Sequence, residues 1–357
     1  MDYTSLVPRP DAIPVHWAWF EVLLIVTFIL HLIVMNAMVG TAILALVEHL
    51  RYRRKATTDL PHGPAKNLTF LIAFTVNLGV APLLFVQVLY GHLLYTSTVL
   101  MAVWWLSVVG ILLVAYYTAY LYKMKLNSLQ AAGPWVLATS LVLLLVVAFF
   151  VVNAFSLAMR PEKWPEYFKS SGGLILNLDD PTLAPRYLHF FFASLAVAGL
   201  VRALWWKLKG GDGAAHNINK GLRWFAWFTL VQGAAGLWYL FAQPERVLHL
   251  FVFDSSIHSI VLWGAVAVAS AMVVAAFLYK FIPTISLFVL TVSIMAIVRE
   301  LVRQATVEPF FKVQRLEIIP QYSPLIMFLA VFVLGAILLT VVLKLALRPV
   351  AVRGGNQ

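Results

Sequence analysis

Cysteine is absent from this 357-residue chain. That excludes disulfides, cysteine-ligated iron–sulfur clusters and covalently attached c-type haem on the chain itself. Charge is scarce too. Asp, Glu, Lys and Arg make up 11% of residues, where a soluble domain carries about a quarter. The acids are the scarcer sign: 15 stand against 26 Lys and Arg, for a net charge of +11. The opening segment, MDYTSLVPRPDAIPVHW, lacks the short basic stretch and apolar core of a cleavable signal peptide. The first apolar run is therefore expected to act as the targeting signal. Neither an internal repeat nor a low-complexity tail is visible. What the chain has in place of these is hydrocarbon, since 62% of its residues are hydrophobic.

A bilayer core about 30 Å thick takes roughly 20 apolar residues per crossing helix. Runs of that kind cover about 18–48, 67–91, 98–122, 132–157, 186–208, 221–242, 256–279, 281–303 and 322–346. They are too long for β-barrel strands. Most are apolar on both faces, so periodicity does not orient them. The expectation is an all-α polytopic membrane helix bundle with nine transmembrane helices, one domain over 1–357. A small outer cap is expected at about 159–187, MRPEKWPEYFKSSGGLILNLDDPTLAPRY.

The connections alternate in basicity. RYRRK (51–55) with Lys66, then Lys123 and Lys125, Arg202 to Arg223, Lys280, and the tail with Lys344, Arg348 and Arg353 hold 16 of the 26 basic residues. Their acids are only Glu48, Asp59 and Asp212. Basic connections stay in the cytoplasm. The N-terminus is thus expected outside and the C-terminus in the cytoplasm, in the inner (cytoplasmic) membrane of a cell. The same rule accounts for the positive charge without a nucleic-acid partner. The inner loop KGGDGAAHNINKG (209–221) reads as a flexible turn.

Ionisable groups inside such runs are costly and mark sites. His31 stands in FILHLIVMNAMVG (28–40) and His189 in RYLHFFFASLAVAG (186–199). Two readings compete for each: a neutral imidazole bonded to a neighbouring helix, or an axial ligand of haem iron. Glu300 stands between Arg299 and Arg303 in IMAIVRELVRQ (294–304). It forms a salt bridge, or it ligates iron while the arginines meet haem propionates. His49, His62 and His216 read as solvated or interfacial side chains, and His16 and His92 as interfacial. Zinc would need several clustered ligands, and no close His pair within one run offers them.

Taken in order, these residues resemble the large, haem-bearing subunit of cytochrome bd quinol oxidases. The first run carries His31, Gly40 and Glu48, and the second Asn77, LGVA (78–81) and Gly91. The fifth opens with RYLH around His189, and the eighth ends in ELVRQ with Glu300, Arg303 and Gln304. The resemblance implies nine spans with the N-terminus outside. It implies that His31 ligates the haem at the oxygen-reactive position, Glu300 the neighbouring high-spin haem, and His189 a low-spin b haem that takes electrons from quinol.

The chain departs from that pattern in three places. Only about a dozen residues (243–255) link runs six and seven, where the family has a long loop associated with quinol binding. TSTVLMAVWWLSVVGILLVAYY (96–117) has no carboxylate, and Gln87 replaces a glutamate. Where the low-spin haem's methionine ligand is expected, FDSSIHSIVLWG (253–264) offers Ile260, with His258 two residues away, about 200° round a helix. His189 and His258 would make a bis-histidine haem of lowered potential, with His249 as the fallback ligand.

The expected function is a haem-binding membrane subunit of a respiratory electron-transfer complex, an oxidoreductase component. It would carry haem b, up to three groups, with haem d also open. It would pass electrons between membrane quinone and an outer-face partner such as a c-type cytochrome, together with further membrane subunits. The alternatives are a quinol:dioxygen oxidoreductase of the cytochrome bd type, and a haem-free transporter or membrane anchor.

Overall fold

The computed structural model describes residues 3–55, 67–125, 129, 132–169, 171–254 and 256–346. Asp59, Lys66, Arg348 and Arg353, used above to orient the chain, and His62, read as solvated or interfacial, lie outside the described residues. Among the described residues ten α-helices follow one another: α1 Trp17–Lys55, α2 Leu68–Leu100, α3 Ala102–Met124, α4 Gly133–Ala158, α5 Leu183–Lys209, α6 Ala214–Phe241, α7 Glu245–Val252, α8 Ile257–Phe277, α9 Phe281–Val307 and α10 Ser323–Ala346. Among the described residues the only β-structure is an isolated bridge between Ile13 and Ile318.

Eight of these helices are long and apolar enough to cross a bilayer: α1 to α5 and α8 to α10. The protein is a multi-pass helical membrane bundle. Its surface agrees, for Leu106, Tyr117 and Trp135 are all more than 70% exposed. In water such a surface would aggregate, whereas in a bilayer it meets lipid tails. The expected run at 221–242 lies within α6, which is not among the eight. Asn217, Asn219, Lys220 and Arg223 fill its first third, and glycines and Gln232 dilute its apolar character beyond.

Two expectations are corrected. An outer connection was expected at 92–97, but α2 continues through it to Leu100. Its backbone instead leaves helical geometry at one residue, Tyr90 (φ −129°, ψ 22°). The link at 243–255 is not simply a loop, because α7 occupies most of it.

Small residues set how closely the helices pack, as is usual in membranes. A Cβ on Gly199 of α5 would stand 2.7 Å from the Phe225 backbone nitrogen of α6, and one on Gly221 would stand 2.6 Å from the Gly199 carbonyl. A Cβ on Gly40 of α1 would come within 2.8 Å of the α5 backbone at Ser194 and Ala198. These close approaches bring α5 backbone to backbone with both α1 and α6. Tyr279, with φ 57°, turns the chain sharply between α8 and α9.

Residues 159–182 fold back over the ends of α2 and α4. Pro161–Lys169 is a 3₁₀ helix whose buried Trp164 donates to the Leu157 carbonyl at 3.0 Å. Lys163 pairs with Glu166 (2.9 Å) and with Asp179. α10 is exposed along its whole described length. Its lead-in is tied to the N-terminal segment by Ile13 N–H to the Glu317 carbonyl (2.8 Å) and Ile319 N–H to the Ile13 carbonyl (3.0 Å).

Candidate functional site

His31 projects from α1 against α2. Its Nδ1 lies 3.1 Å from the carbonyl oxygen of Thr75. A carbonyl can only accept, so Nδ1 carries the proton and a neutral ring keeps its lone pair on Nε2. The ring rests on Gly79, where a Cβ would stand 2.8 Å from Cε1. His189 on α5 repeats the arrangement against α6. Its Nδ1 donates to the Gln232 carbonyl at 3.0 Å, and a Cβ on Gly236 would stand 3.0 Å from the ring. In both cases the acceptor carbonyl and the glycine are four residues apart on the neighbouring helix, one above the other on its face. The neighbour thus offers a flat seat for an imidazole and the acceptor that orients it.

The two seats differ in what meets Nε2. The Gln232 side-chain amide stands 3.3 Å from Nε2 of His189 and donates to it. For His31 no such partner is present among the described residues. The Thr75 hydroxyl nearby is buried and unpartnered.

Glu300 on α9 is 2% exposed. Tyr90 donates its hydroxyl to one carboxylate oxygen at 2.6 Å, and Arg303 Nη1 donates to the other at 2.7 Å. The non-helical backbone at Tyr90 is where α2 delivers this hydroxyl to α9. The Arg303 guanidinium also lies 5.0 Å from the centre of the Tyr90 ring. Of the two readings of Glu300, the salt bridge is the geometry present. Removing one partner of such a buried pair costs about 3–5 kcal/mol, because the other charge is stranded.

Arg299 takes a different course. Its guanidinium lies over Phe28 of α1 at 4.1 Å and near Phe155 of α4 at 5.8 Å. Arg186, one turn before His189, lies over Tyr239 of α6 at 5.3 Å and donates to Thr182 at 3.2 Å. Thr182 is itself held by the buried Asp180, which accepts its backbone N–H at 2.9 Å. Arg299 lies within electrostatic reach of both Arg186 and Arg303. Nη2 of Arg303 and Nε of Arg186 are buried and have no hydrogen-bond partner among the described residues. The facing acids are Glu300 and Glu21, whose carboxylate accepts from Gln304 at 2.7 Å. Three guanidiniums stand near Glu300, Glu21 and Asp180, and the two buried N–H donors without a partner among the described residues can still take an anionic group.

His258, His249, His49, His16 and His216 are not drawn into this cluster. His258 opens α8, 3.4 Å from the Ser256 hydroxyl and 5.2 Å from the Phe251 ring. α8 packs mainly on α9 and α6, and α5 mainly on α6 and α1. His249, the fallback, is exposed on α7 beside Phe253. His49 was read as solvated or interfacial, yet it is buried, with Nδ1 3.2 Å from the Tyr122 hydroxyl. Glu48 beside it pairs with Arg202 at 3.2 Å. His16 and His216 are exposed.

The reading from sequence passed over Glu21, Tyr90, Gln232 and the two glycine seats. Tyr90 reaches Glu300 over 210 residues and Glu21 reaches Gln304 over 283, so no local pattern could pair them. The Thr75–Gly79 and Gln232–Gly236 spacings were legible, but they had no meaning until the helices were paired.

The donor set can be tested against haem. Two imidazoles with Nδ1 tied back and the lone pair on Nε2 match what an iron ligand requires. Unpartnered arginine N–H groups match propionates. Glu300 has both oxygens engaged, by Tyr90 and Arg303, which leaves it no free oxygen in this geometry for the ligand role drawn from the resemblance. No group of three or more His, Cys, Asp or Glu able to hold a bare metal ion occurs among the described residues. No protein-family model matches the chain, and neither a curated protein nor a solved structure matches it.

Proposed function

We propose that the protein is a haem-bearing membrane subunit of an electron-transfer complex. It would exchange electrons between membrane quinone and a redox partner at the outer face, such as a c-type cytochrome. One observation carries the reading. Two intramembrane histidines on different helices share one seat design, with Nδ1 tied to a carbonyl and the ring flat on the glycine four residues on. Backbone tethering of Nδ1 is the general device that fixes a ligand histidine's tautomer and aim. A core histidine needs only a partner, not the same seat built twice.

Bound haem would supply a one-electron carrier. The chain's own residues do the rest. His189 and His31 would hold iron through Nε2, the Gln232 amide turning aside from His189. Arg186, Arg299 and Arg303 would meet propionates, and Asp180 holds Arg186 in place through Thr182. The apolar surface keeps the cluster within reach of a lipid-soluble quinone. In this reading α6 is the ninth crossing. The basic connections face the cytoplasm, and the Arg186–Arg299–Arg303 cluster lies in the outer half of an inner membrane. Further membrane subunits complete the complex. Glu300's commitment to Arg303 and Tyr90, with the missing carboxylates along 96–117, ranks a quinol oxidase second.

The test is an optical spectrum and a pyridine haemochrome count on the purified chain. A Soret band with sharp reduced α-bands is expected, and His189→Ala should remove the low-spin component while the bundle stays folded. A flat visible spectrum would leave a transporter or anchor. An unchanged spectrum in His189→Ala would remove His189 from the site.

A further inference from the structure

On the reading just given, we infer that Glu300 is a positioning residue that fixes Arg303 and Tyr90, and not an iron ligand. Both of its oxygens are engaged, at 2.6 Å and 2.7 Å. Neither partner can follow it elsewhere. Tyr90 is 3% exposed, stands at the break in α2, and packs edge-on against Phe311 with ring centres 5.9 Å apart. Arg303 is 7% exposed and lies against the same Tyr90 ring. A carboxylate turning toward a metal would strand a buried hydroxyl and a buried guanidinium together.

The geometry has a further consequence. Glu300 holds Nη1 of Arg303, and Nη2 of the same guanidinium is the buried donor without a partner. The carboxylate therefore aims one edge of Arg303 and leaves another for an anionic ligand. It also offsets part of the positive charge that Arg299 and Arg303 place there. Glu300 acts on bound haem through the field, at one remove, which is a different function from the ligand role in the proteins the chain resembles.

The two roles separate in a redox titration. The measurement uses the full-length protein with its bound haem, and compares haem count, absorption bands, spin state by electron paramagnetic resonance, and midpoint potential. Glu300→Gln keeps acceptor and shape but removes a negative charge. It should leave haem count, band positions and spin state unchanged while raising the potential of the nearby haem. Tyr90→Phe removes the hydroxyl that draws charge from the carboxylate, and should lower the potential with the same unchanged spectra. This second variant also guards against a failure of Glu300→Gln to fold. Loss of a haem or a change of spin state in folded Glu300→Gln would overturn the inference in favour of ligation. Potentials unmoved in both variants would overturn it in favour of a purely structural ion pair. A wild-type chain without haem would instead sink the underlying reading, a result the haemochrome count alone reveals.

Discussion

The two ends of the bundle use the same residue types for different purposes. At one end Glu300 pairs with Arg303, at the other Glu48 pairs with Arg202, and each pair has a histidine near it in the fold or the chain. The Glu48–Arg202 pair bridges α1 and α5 at 3.2 Å, with about a fifth of each side chain exposed, and Arg202 also donates to Asn217 of α6 at 2.7 Å. It ties three helices together at a wet rim. The Glu300–Arg303 pair lies within one helix, with 3% and 8% of the side chains exposed. It joins nothing along α9 that the helix does not already join. Its other contacts are a tyrosine from α2 and the neighbouring arginines. A buried ion pair gives little net stability, so its burial here points to use.

The histidines divide in the same way. His49 is held by a side chain, the Tyr122 hydroxyl. His31 and His189 are held by backbone carbonyls, which a helix cannot reorient. All three rings rest on glycine: Gly133 for His49, Gly79 for His31 and Gly236 for His189. A glycine beneath the ring is thus a packing device common to both ends. At His31 and His189 the carbonyl four residues before that glycine accepts from Nδ1.

The largest effect expected from breaking this comparison is on stability. Arg303→Ala should cost about 3–5 kcal/mol by stranding Glu300. Arg202→Ala, at a rim where about a fifth of each side chain is exposed, should cost less. Thermal unfolding in detergent, read by circular dichroism, orders the two, and equal losses would erase the distinction between the ends.

Next come the seats. Gly79→Ala and Gly236→Ala place a methyl group 2.8 Å and 3.0 Å from an imidazole, an overpacking worth about 1–3 kcal/mol. On the proposed reading, each should also shift or abolish the haem bands. Gly133→Ala, at 2.6 Å from His49, should lose similar stability with bands unchanged. A spectral change in Gly133→Ala alone would reverse the assignment of ends.

Smaller still is the effect at Gly110 of α3, where an added Cβ meets nothing within 4 Å. Gly110→Ala should stabilise α3 by about 0.5–1 kcal/mol, since glycine is the poorer helix former. No change or a loss in melting temperature would count against an open, lipid-facing position.

The smallest effect is that of pH on the segment 159–182. Lys163 and Arg160 hold the Asp179 carboxyl below its ordinary value. A depressed folded pKa contributes stability above the unfolded value, near 4, and that contribution is lost as pH falls through the folded one. Limited proteolysis of this segment should rise slightly below pH 4, and Asp179→Asn should remove the dependence. The pair is exposed, so solvent screening keeps the effect small.

How much of this was legible beforehand varies with range. Runs of about 20 apolar residues located the long helices, because hydrocarbon admits little else, although α1, α2 and α6 each extend seven or more residues beyond the expected run at one end. His31, His189 and Glu300 stood out because each is costly in such a run. The continuation of α2 past Gly91 was missed, since no Pro or Gly marks where it stops and its one irregular residue, Tyr90, is ordinary in sequence. His49 was misplaced because it borders the basic run at 51–55, although the chain folds it inward against Tyr122.

From its sequence alone this chain had to be a multi-pass helical membrane protein with a few ionisable groups left in its interior. Composition and run length are local properties, and burial of a backbone in lipid leaves helices as the solution for such runs. Which groups meet was settled only in three dimensions. Tyr90 and Arg303 claim both oxygens of Glu300, two helices each offer a carbonyl and a glycine to a neighbour's imidazole, and three arginines gather from α5 and α9. Those contacts depend on which helix faces which, and that is decided by glycine and alanine surfaces whose fit exists only once the helices are packed.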